Sequence, residues 1–435
     1  MARLSSILYL MTFGIFKLMR SLTSALLTVL MLVIFCAVQA QEGQLESTYR
    51  RSSLYSIMLN TGIKYSNEME QVFAGFSVPD KFNDHSLGLK SIKDVSKLKE
   101  KRLPIERFLH KSQLAKRMVS KWFSRDKSTG AFSMELVAER GNYNASLLDV
   151  AIARSNVRGE AMLSDAGEEL IGNTFLLVNE ISYIDKESNA IAAAAIFGTI
   201  SNVASTVSDA AGGNNKTSDV ADLTKSIADI GSDASDLVAG FSVRVTSYLY
   251  QLEWNDSIAS IFYTKYYYDK NNIDITKKTA YESDTGLFRF KFVGQQTVKS
   301  NKTSLRGLHT NGELISKTMQ RAIDKSIVEL QSEHEVFRVK VPLIEIAEDG
   351  IHVQIGLKEG VNEKSRFEVL EQMIDDNGRT KYKRVGIIKP VSNKIWDNRY
   401  MAVEEEAENA LLKYTTFKVV SGKGFYPGML VREIR

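Results

Sequence analysis

Side chains that could do chemistry are dispersed along this 435-residue chain. The five histidines stand singly, and no two of them have the spacing of a zinc site. No Gly-x-Ser-x-Gly segment marks a serine nucleophile, and the single cysteine, Cys36, excludes a disulfide within the chain. We therefore predict a protein that is not an enzyme and uses no metal or cofactor. A hydrolase of unrecognised type stays an alternative, because catalytic groups converge in space and need no linear motif.

Two polar segments come closest to ligand-binding motifs. Gly212–Thr217 resembles a phosphate-binding loop but lacks the glycine directly before the lysine. Asp80, Asn83, Asp84 and His85 could offer ligands to a hard cation, yet they lack the alternate-residue spacing of a calcium loop. Asp and Asn also form turns by bonding their own backbone. Neither segment therefore predicts a phosphate-binding or cation-binding site.

Aromatic side chains concentrate between residues 241 and 268. The pattern predicts a β-hairpin there, with strands Phe241–Trp254 and Ile258–Tyr268. Exposed Tyr and Trp rings can stack on sugars or lie at a membrane interface, whereas most such residues cover a half-buried sheet. A second aromatic and polar cluster is Trp396–Arg399. The candidate binding residues are Tyr248, Tyr250, Trp254, Tyr266, Trp396 and Arg399.

The first 40 residues have the features of a cleavable export signal. Only three charges precede Glu42, all of them positive, and an apolar run follows them from Leu26 to Phe35. Small residues stand at Val38 and Ala40, which predicts cleavage between Ala40 and Gln41. An uncleaved anchor and a lipoprotein attached through Cys36 are the alternatives. An exported chain of this length without disulfides is typical of a bacterial envelope: the periplasm, the outer membrane or secretion.

The amino-acid composition gives little indication of function. The net charge is +4, and removing the three signal charges would leave about +1, so nothing favours nucleic acid as a partner. With 44% hydrophobic and 25% charged residues, the chain is of ordinary globular composition.

The predicted fold is a multi-domain mixture of α and β structure. Residues 41–335 alternate predicted strands and helices, as an α/β domain does, with strands at Ser53–Leu59, Ala131–Glu139 and Thr174–Ile184. Helices are predicted at Ser66–Phe76, Ile105–Phe123 and Leu314–Leu330. Residues 336–435 carry short strand patterns and predict a small β-barrel or sandwich.

An alanine-rich helical hairpin is predicted as an insertion over 186–240. Small residues let two helices pack closely, which is the simpler interpretation of this segment. The alternative is an oligomerising or membrane-contacting element, because small residues also serve helix contacts within membranes.

Two segments resemble known envelope proteins. Ile351–Leu370 is similar to the small barrel that closes the flagellar-assembly T family, on the matching residues Gly356, Lys358, Glu359, Gly360, Val361, Phe367 and Val369. Lys364-Ser365 stand where that family has a glycine. Gly167–Val178, with the later Met319–Leu330 helix, resembles the curli-secretion (CsgG) and penicillin-binding-protein-activator group. Both resemblances imply assembly, secretion or activator proteins.

These observations predict a non-enzymatic envelope protein engaged in assembly, scaffolding or secretion at the outer membrane. Its expected partner is another envelope protein or a second copy of itself, with peripheral membrane contact left open. A glycan- or ligand-binding protein that uses the aromatic strands is the first alternative.

Overall fold

The structure, a computed structural model, describes residues 52–79, 81–93, 100–144, 167–184, 242–301, 311–374, 380–404 and 407–434. The predicted signal peptide with its Ala40–Gln41 cleavage site and the predicted helical hairpin of 186–240 lie outside these residues. The described residues mix helices and strands and form one open sheet and one closed barrel. This agrees with the predicted α+β class.

The open sheet has six strands: β1 (Ser53–Asn60), β2 (Asn83–Asp84), β3 (Ser91–Lys93), β4 (Thr174–Tyr183), β5 (Ser242–Leu252) and β6 (Phe290–Asn301). Their order is β2-β1-β4-β5-β6, and β3 pairs with the same edge of β1 as β2. Strand β1 runs parallel to β2, β3 and β4, whereas β4, β5 and β6 are antiparallel. Both β1 and β4 are nearly continuous apolar runs because helices cover both of their faces.

Helices lie on the two faces of the sheet. One face carries α1 (Ser66–Ala74) and α7 (Asn311–Glu333), whose buried residues share a core with Leu54, Met58 and Phe175. The other face carries α2 (Arg102–Lys111), α3 (Leu114–Trp122), α4 (Glu135–Asn144), α5 (Asp256–Lys265) and α6 (Ile275–Ser283), which share a second core with Tyr55 and Ile57. Among the described helices, none is both long and apolar enough to cross a membrane.

Residues 337–434 form the closed barrel. Its strands are β7 (Val341–Ala347), β8 (Gly350–Val353), β9 (Arg366–Ile374), β10 (Thr380–Pro390), β11 (Thr415–Gly422) and β12 (Leu430–Ile434), in the order β10-β11-β8-β7-β12-β9. Every pairing is antiparallel. The strand pattern allowed a barrel or a sandwich, and the structure has a barrel.

The prediction of a second strand in the aromatic hairpin is wrong. Ile258–Lys265 belongs to helix α5, and β5 pairs with β4 and β6 instead of with a hairpin partner. The side chain of Asn255 accepts a hydrogen bond from the Ile258 N–H at 3.1 Å, which caps the helix. Ile258, Phe262 and Tyr266 recur every four residues, and this helical period was masked by the strand preference of aromatic residues.

Two further elements differ from the prediction. Ala131–Glu139 was expected to be a strand, but helix α4 begins at Glu135. The predicted helix Ile105–Phe123 is two helices, because Gln113 takes a left-handed backbone conformation (φ 51°) that separates α2 from α3.

Candidate functional site

The predicted binding tyrosines are core residues. Tyr248, Tyr250 and Tyr266 are buried, and burial raises the pKa of Tyr250 above its ordinary value. Trp254 is partly exposed, with its ring 5.6 Å from those of Phe123 and Phe262. Neighbouring side chains cover the tyrosine rings, as expected for the packing interpretation. A ligand-stacking role for these residues stays a prediction.

The second predicted cluster, Trp396–Arg399, fastens one barrel loop to another. The backbone oxygen of Trp396 accepts from the Leu357 N–H at 2.9 Å. The Asn398 side chain accepts from the Lys358 N–H at 2.9 Å and donates to Glu359 Oε2 at 2.7 Å. The segment held this way is Gly356–Gly360.

The same loops dock the barrel on helix α7. Gly360 has φ +81°, and a Cβ atom there would lie 2.5 Å from Val328 Cγ1 of α7, so the approach requires glycine. Arg321 of α7 donates from Nε and Nη2 to the Tyr400 carbonyl oxygen at 3.1 and 2.7 Å. We call this contact region the joint between sheet and barrel.

A buried lysine adds charge to the joint. Lys81 precedes β2, and its Nζ donates to Gln331 Oε1 of α7 at 3.3 Å and lies 4.0 Å from Glu359 Oε1 of the barrel. Burial lowers the pKa of Lys81, and the Glu359 charge opposes that effect. One side chain therefore contacts three parts of the molecule: the sheet edge, α7 and the barrel.

A pocket of ≈ 390 Å³ opens beside Arg399. Arg399 donates from Nε and Nη2 to the two carboxylate oxygens of Asp397 at 2.9 and 2.6 Å. Burial acts to raise the pKa of Asp397, but these bonds and the Arg399 charge outweigh it and lower that pKa. The remaining lining residues are Leu357, Asn362, Glu363, Ser392, Ile395, Ala407, Glu408 and Asn409. Of the predicted binding residues, Arg399 therefore lines a pocket.

Two more cations of α7 lie near Arg399. Lys317 is buried, and burial together with the charges of Arg321 and Arg399 lowers its pKa to about 8. Arg321 is itself affected by burial and by Arg399, and its pKa is also lowered. Positive charge is thus concentrated where the barrel meets the first half of α7.

A closed polar network surrounds His85 on the other face of the sheet. His85 Nε2 lies 3.0 Å from the Met118 carbonyl oxygen, and because a carbonyl only accepts, the proton is on Nε2. Nδ1 then accepts from Arg140 Nη1 at 3.2 Å, and the same Nη1 donates to Ser53 Oγ at 2.9 Å. The Arg140 guanidinium lies 4.5 Å from the centre of the Trp122 ring. Burial, followed by the Arg140 charge, lowers the pKa of His85 to about 3.

Asp80, Asn83, Asp84 and His85 are the residues whose types could offer ligands to a hard cation. The structure places Asn83 and Asp84 in strand β2 and turns the His85 ring into the core, while Asp80 lies outside the described residues. Within the part of the chain that the structure describes, no three His, Asp or Glu side chains are grouped as metal ligands.

A polar line crosses the sheet on the face covered by α1 and α7. Asn179 Nδ2 donates to Ser56 Oγ at 2.9 Å, and Ser247 Oγ donates to Asn179 Oδ1 at 2.7 Å. Asn179 and Ser247 are fully buried. Without these hydrogen bonds their polar groups would be unsatisfied in the core and would destabilise the fold. The line runs from β5 through β4 and ends at Ser56 on β1.

A cleft of ≈ 70 Å³ opens at that end. Ser56 and Asp84 line it on the sheet side, Gln320 and Asp324 of α7 lie across from them, and Phe76 follows α1. No local sequence pattern predicts this cleft, because its lining residues run from Tyr55 to Ile327 and are brought together only by the fold.

No family model matches the chain, and no curated protein sequence matches it. The resemblances to the flagellar-assembly T family and to the CsgG group therefore stay predictions.

Proposed function

We propose that this protein is an exported, non-enzymatic assembly or scaffolding protein of the bacterial envelope, and that its barrel binds the partner. The observation that carries the proposal is a set of exposed apolar side chains on the barrel. Val419, Val420 and Tyr426 are 49%, 45% and 48% exposed, and we call these three residues the β11 patch. Exposed apolar side chains that are concentrated on one element are typical of protein or membrane interaction sites.

The geometry of β11 explains why the patch is exposed. Thr415–Phe417 are buried in the barrel, whereas Lys418–Gly422 are exposed. Because side chains alternate between the two faces of a strand, consecutive exposed valines mean that this half of β11 is uncovered on both faces. The Tyr426 hydroxyl lies 3.3 Å from Glu371 Oε1 of β9, two residues before Met373, which is 47% exposed. The apolar surface thus extends towards β9.

The joint supports a scaffolding role. Arg321, Lys81 and Gly360 attach the barrel to α7 through hydrogen bonds, buried charge and close packing. Arg432 adds an ion pair of 2.9 Å with Glu335, which lies directly after α7. A partner bound to the β11 patch would therefore be held in a defined orientation to the sheet.

Cross-linking and fractionation test this proposal. The full chain is expressed with its export signal. The cross-linked species and the membrane-bound fraction of the mature protein, from Gln41, are then measured. We expect the V419S/V420S double variant to lower both by about fivefold or more, because truncating central apolar contacts weakens an interface. The matched control is I273S/I275S, two residues 46% and 66% exposed outside the barrel.

Two results would contradict the proposal. Wild-type protein recovered only as a soluble monomer, free of membranes and partners, argues against any envelope assembly role. An equal effect of the barrel and control variants removes the β11 patch as the binding surface.

The Arg399 pocket favours a second candidate, a glycan- or ligand-binding protein. Its volume, ≈ 390 Å³, lies in the range of small-molecule sites, and seven of its ten lining residues are polar or charged. A glycan array measured with wild-type protein and with the R399A variant tests this candidate. Silence of the wild-type protein on the array would reject it.

A further inference from the structure

Strand β11 is paired on both sides over only part of its length. Its first part, residues 415–417, pairs with β8 and closes the barrel. The following residues, 418–422, pair with β10 alone, with a register shift at Val420, and we call them the free segment of β11. Within the described residues, no backbone hydrogen bond outside the strand pairs involves the free segment.

The free segment is exposed to solvent. All five of its residues are exposed, and at Gly422, which has no side chain, this exposure is that of the backbone itself. A strand edge without a partner presents a row of backbone N–H and C=O groups, with which another extended chain can pair. The free segment therefore has the geometry of a site for strand addition, in which a segment of a partner becomes the next strand.

Two like charges face each other beside the free edge. Lys418 is the register partner of Lys389 on β10, and both lysines are exposed. Like charges directly opposite each other destabilise a strand pair. Neither lysine has an ion-pair partner within the part of the chain that the structure describes. A carboxylate opposite Lys418 would relieve this repulsion.

The surrounding sequence adds cations and no acid. Strand β10 holds Lys381, Lys383, Arg384 and Lys389, and residues 411–428 hold Lys413, Lys418 and Lys423, with no Asp or Glu in either stretch. On the neighbouring strand β9, Glu368 already accepts from Arg384 and Arg432. Glu371 of β9 accepts from the Tyr426 hydroxyl. The surface around the free segment therefore complements a negatively charged partner.

We propose that the free segment of β11 binds an acidic, extended segment of a partner protein by strand addition. The inference rests on the proposed function, because it specifies what the β11 patch recognises. The backbones pair along the free edge, a carboxylate of the added strand lies opposite Lys418, and an apolar side chain beside it contacts Val419. Edge-to-edge pairing of two copies is opposed, because it would bring Lys418 and Lys423 of both copies together.

Calorimetric titration of the folded mature chain with a short peptide tests this proposal. The probe is EVEVEVE, blocked at both ends, which as a strand has glutamates on one face and valines on the other. We expect saturable binding with a dissociation constant below about 1 mM. One control peptide is KVKVKVK, and the other is EVEVEVE with every backbone nitrogen methylated, which keeps the side chains and loses the N–H donors. Neither control should bind.

Reversal of one charge locates the binding on β11. K418E turns the like-charge pair with Lys389 into an opposite-charge pair, so the variant should fold at least as stably as the wild type, which thermal unfolding checks. It should still weaken peptide binding by about tenfold or more, because two carboxylates then face each other. K364E, at an exposed lysine in the loop before β9, changes the net charge equally and should leave the binding unchanged.

Three results would overturn the proposal. The first is the absence of saturable EVEVEVE binding at about five times the expected limit, on the order of 5 mM. The second is equal binding of the methylated peptide or of KVKVKVK, and the third is an equal effect of K418E and K364E. Sedimentation with phosphatidylglycerol vesicles in the absence of peptide binding would assign the surface to a membrane instead.

The failure of this inference differs from that of the proposed function. If no peptide binds while V419S/V420S still lowers cross-linking, strand addition is rejected and the β11 patch stays the partner surface. If the peptide binds while V419S/V420S leaves cross-linking unchanged, the free segment binds acidic strands and the proposed assembly role is rejected.

Discussion

Two polar clusters adjoin the same edge of β1, and they differ in how completely their groups are satisfied. Around His85, both ring nitrogens and the Arg140 guanidinium have partners inside the protein. The line that ends at Ser56 is satisfied through Asn179 and Ser247, but it reaches a backbone segment that faces an open cleft. A closed network contributes to stability, whereas an open one has groups left over for a ligand. The comparison predicts different responses to mutation on the two sides.

Acid pH should give the largest effect, on the closed side. The folded-state pKa of His85 is about 3 against an ordinary value of 6.5, so between these values the unfolded chain binds more protons than the folded one. Stability is therefore lost as the pH falls below 6.5, by about 4 kcal/mol at pH 3.5. Urea unfolding of wild type and H85Q at pH 7 and pH 3.5 measures the difference. Equal acid destabilisation of both proteins would contradict the assignment.

Removing the ring at neutral pH should have the next largest effect. H85L leaves the Met118 oxygen and one Arg140 donor without their partner in the core, at a cost of about 2–3 kcal/mol. The control is H110L, an exposed histidine of α2, for which we expect a change within about 0.5 kcal/mol. The free energy of unfolding in urea is the measurement. A small change in H85L would mean that the network is not closed.

The polar line should show an intermediate effect. S247A removes a buried donor from Asn179 Oδ1, and we expect a loss of about 1 kcal/mol. The exposed T297A on β6 serves as control, since Thr297 lies near Thr246 on the uncovered part of the sheet. Thermal unfolding followed by circular dichroism compares the two. A loss in T297A as large as that in S247A would remove the distinction.

The open side should respond least in the absence of ligand. Lys90 is exposed, and K90A should change the free energy of unfolding by no more than about 0.5 kcal/mol. A loss of stability as large as that of H85L would show that the cleft charges serve folding, and would remove the contrast between the two sides.

The sequence predicted individual elements where the signal was local and strong. Helix α7 was predicted at Leu314–Leu330 and is found at Asn311–Glu333, with Ile315, Met319, Ile323 and Ile327 buried as their spacing required. Strands β1 and β4 were predicted from their apolar runs within one residue at each end. These predictions succeeded because periodicity and hydrophobicity are properties of one continuous segment.

Other predictions failed where local signals competed. In α5, aromatic residues favoured a strand while the Asn255 cap and a four-residue period favoured a helix, and packing on Phe123 and Phe132 accompanies the helix. Tyr250 was a candidate for ligand contact, yet its neighbours bury it. Exposure of a strand face depends on which helices cover it, and no pattern within β5 contains that information.

The sequence by itself determined that no disulfide closes within the chain, since it has a single cysteine, and that helices and strands are mixed along it. Tertiary structure alone decided that the C-terminal strands close into a barrel and that Gly360 meets Val328. It also decided that, among the described residues, Ser56 of β1 pairs with β4 but has no strand partner on the side of β2 and β3. The reason is physical. A helix or a strand follows from interactions between near neighbours, whereas a joint or a gap depends on where distant segments end after they have packed.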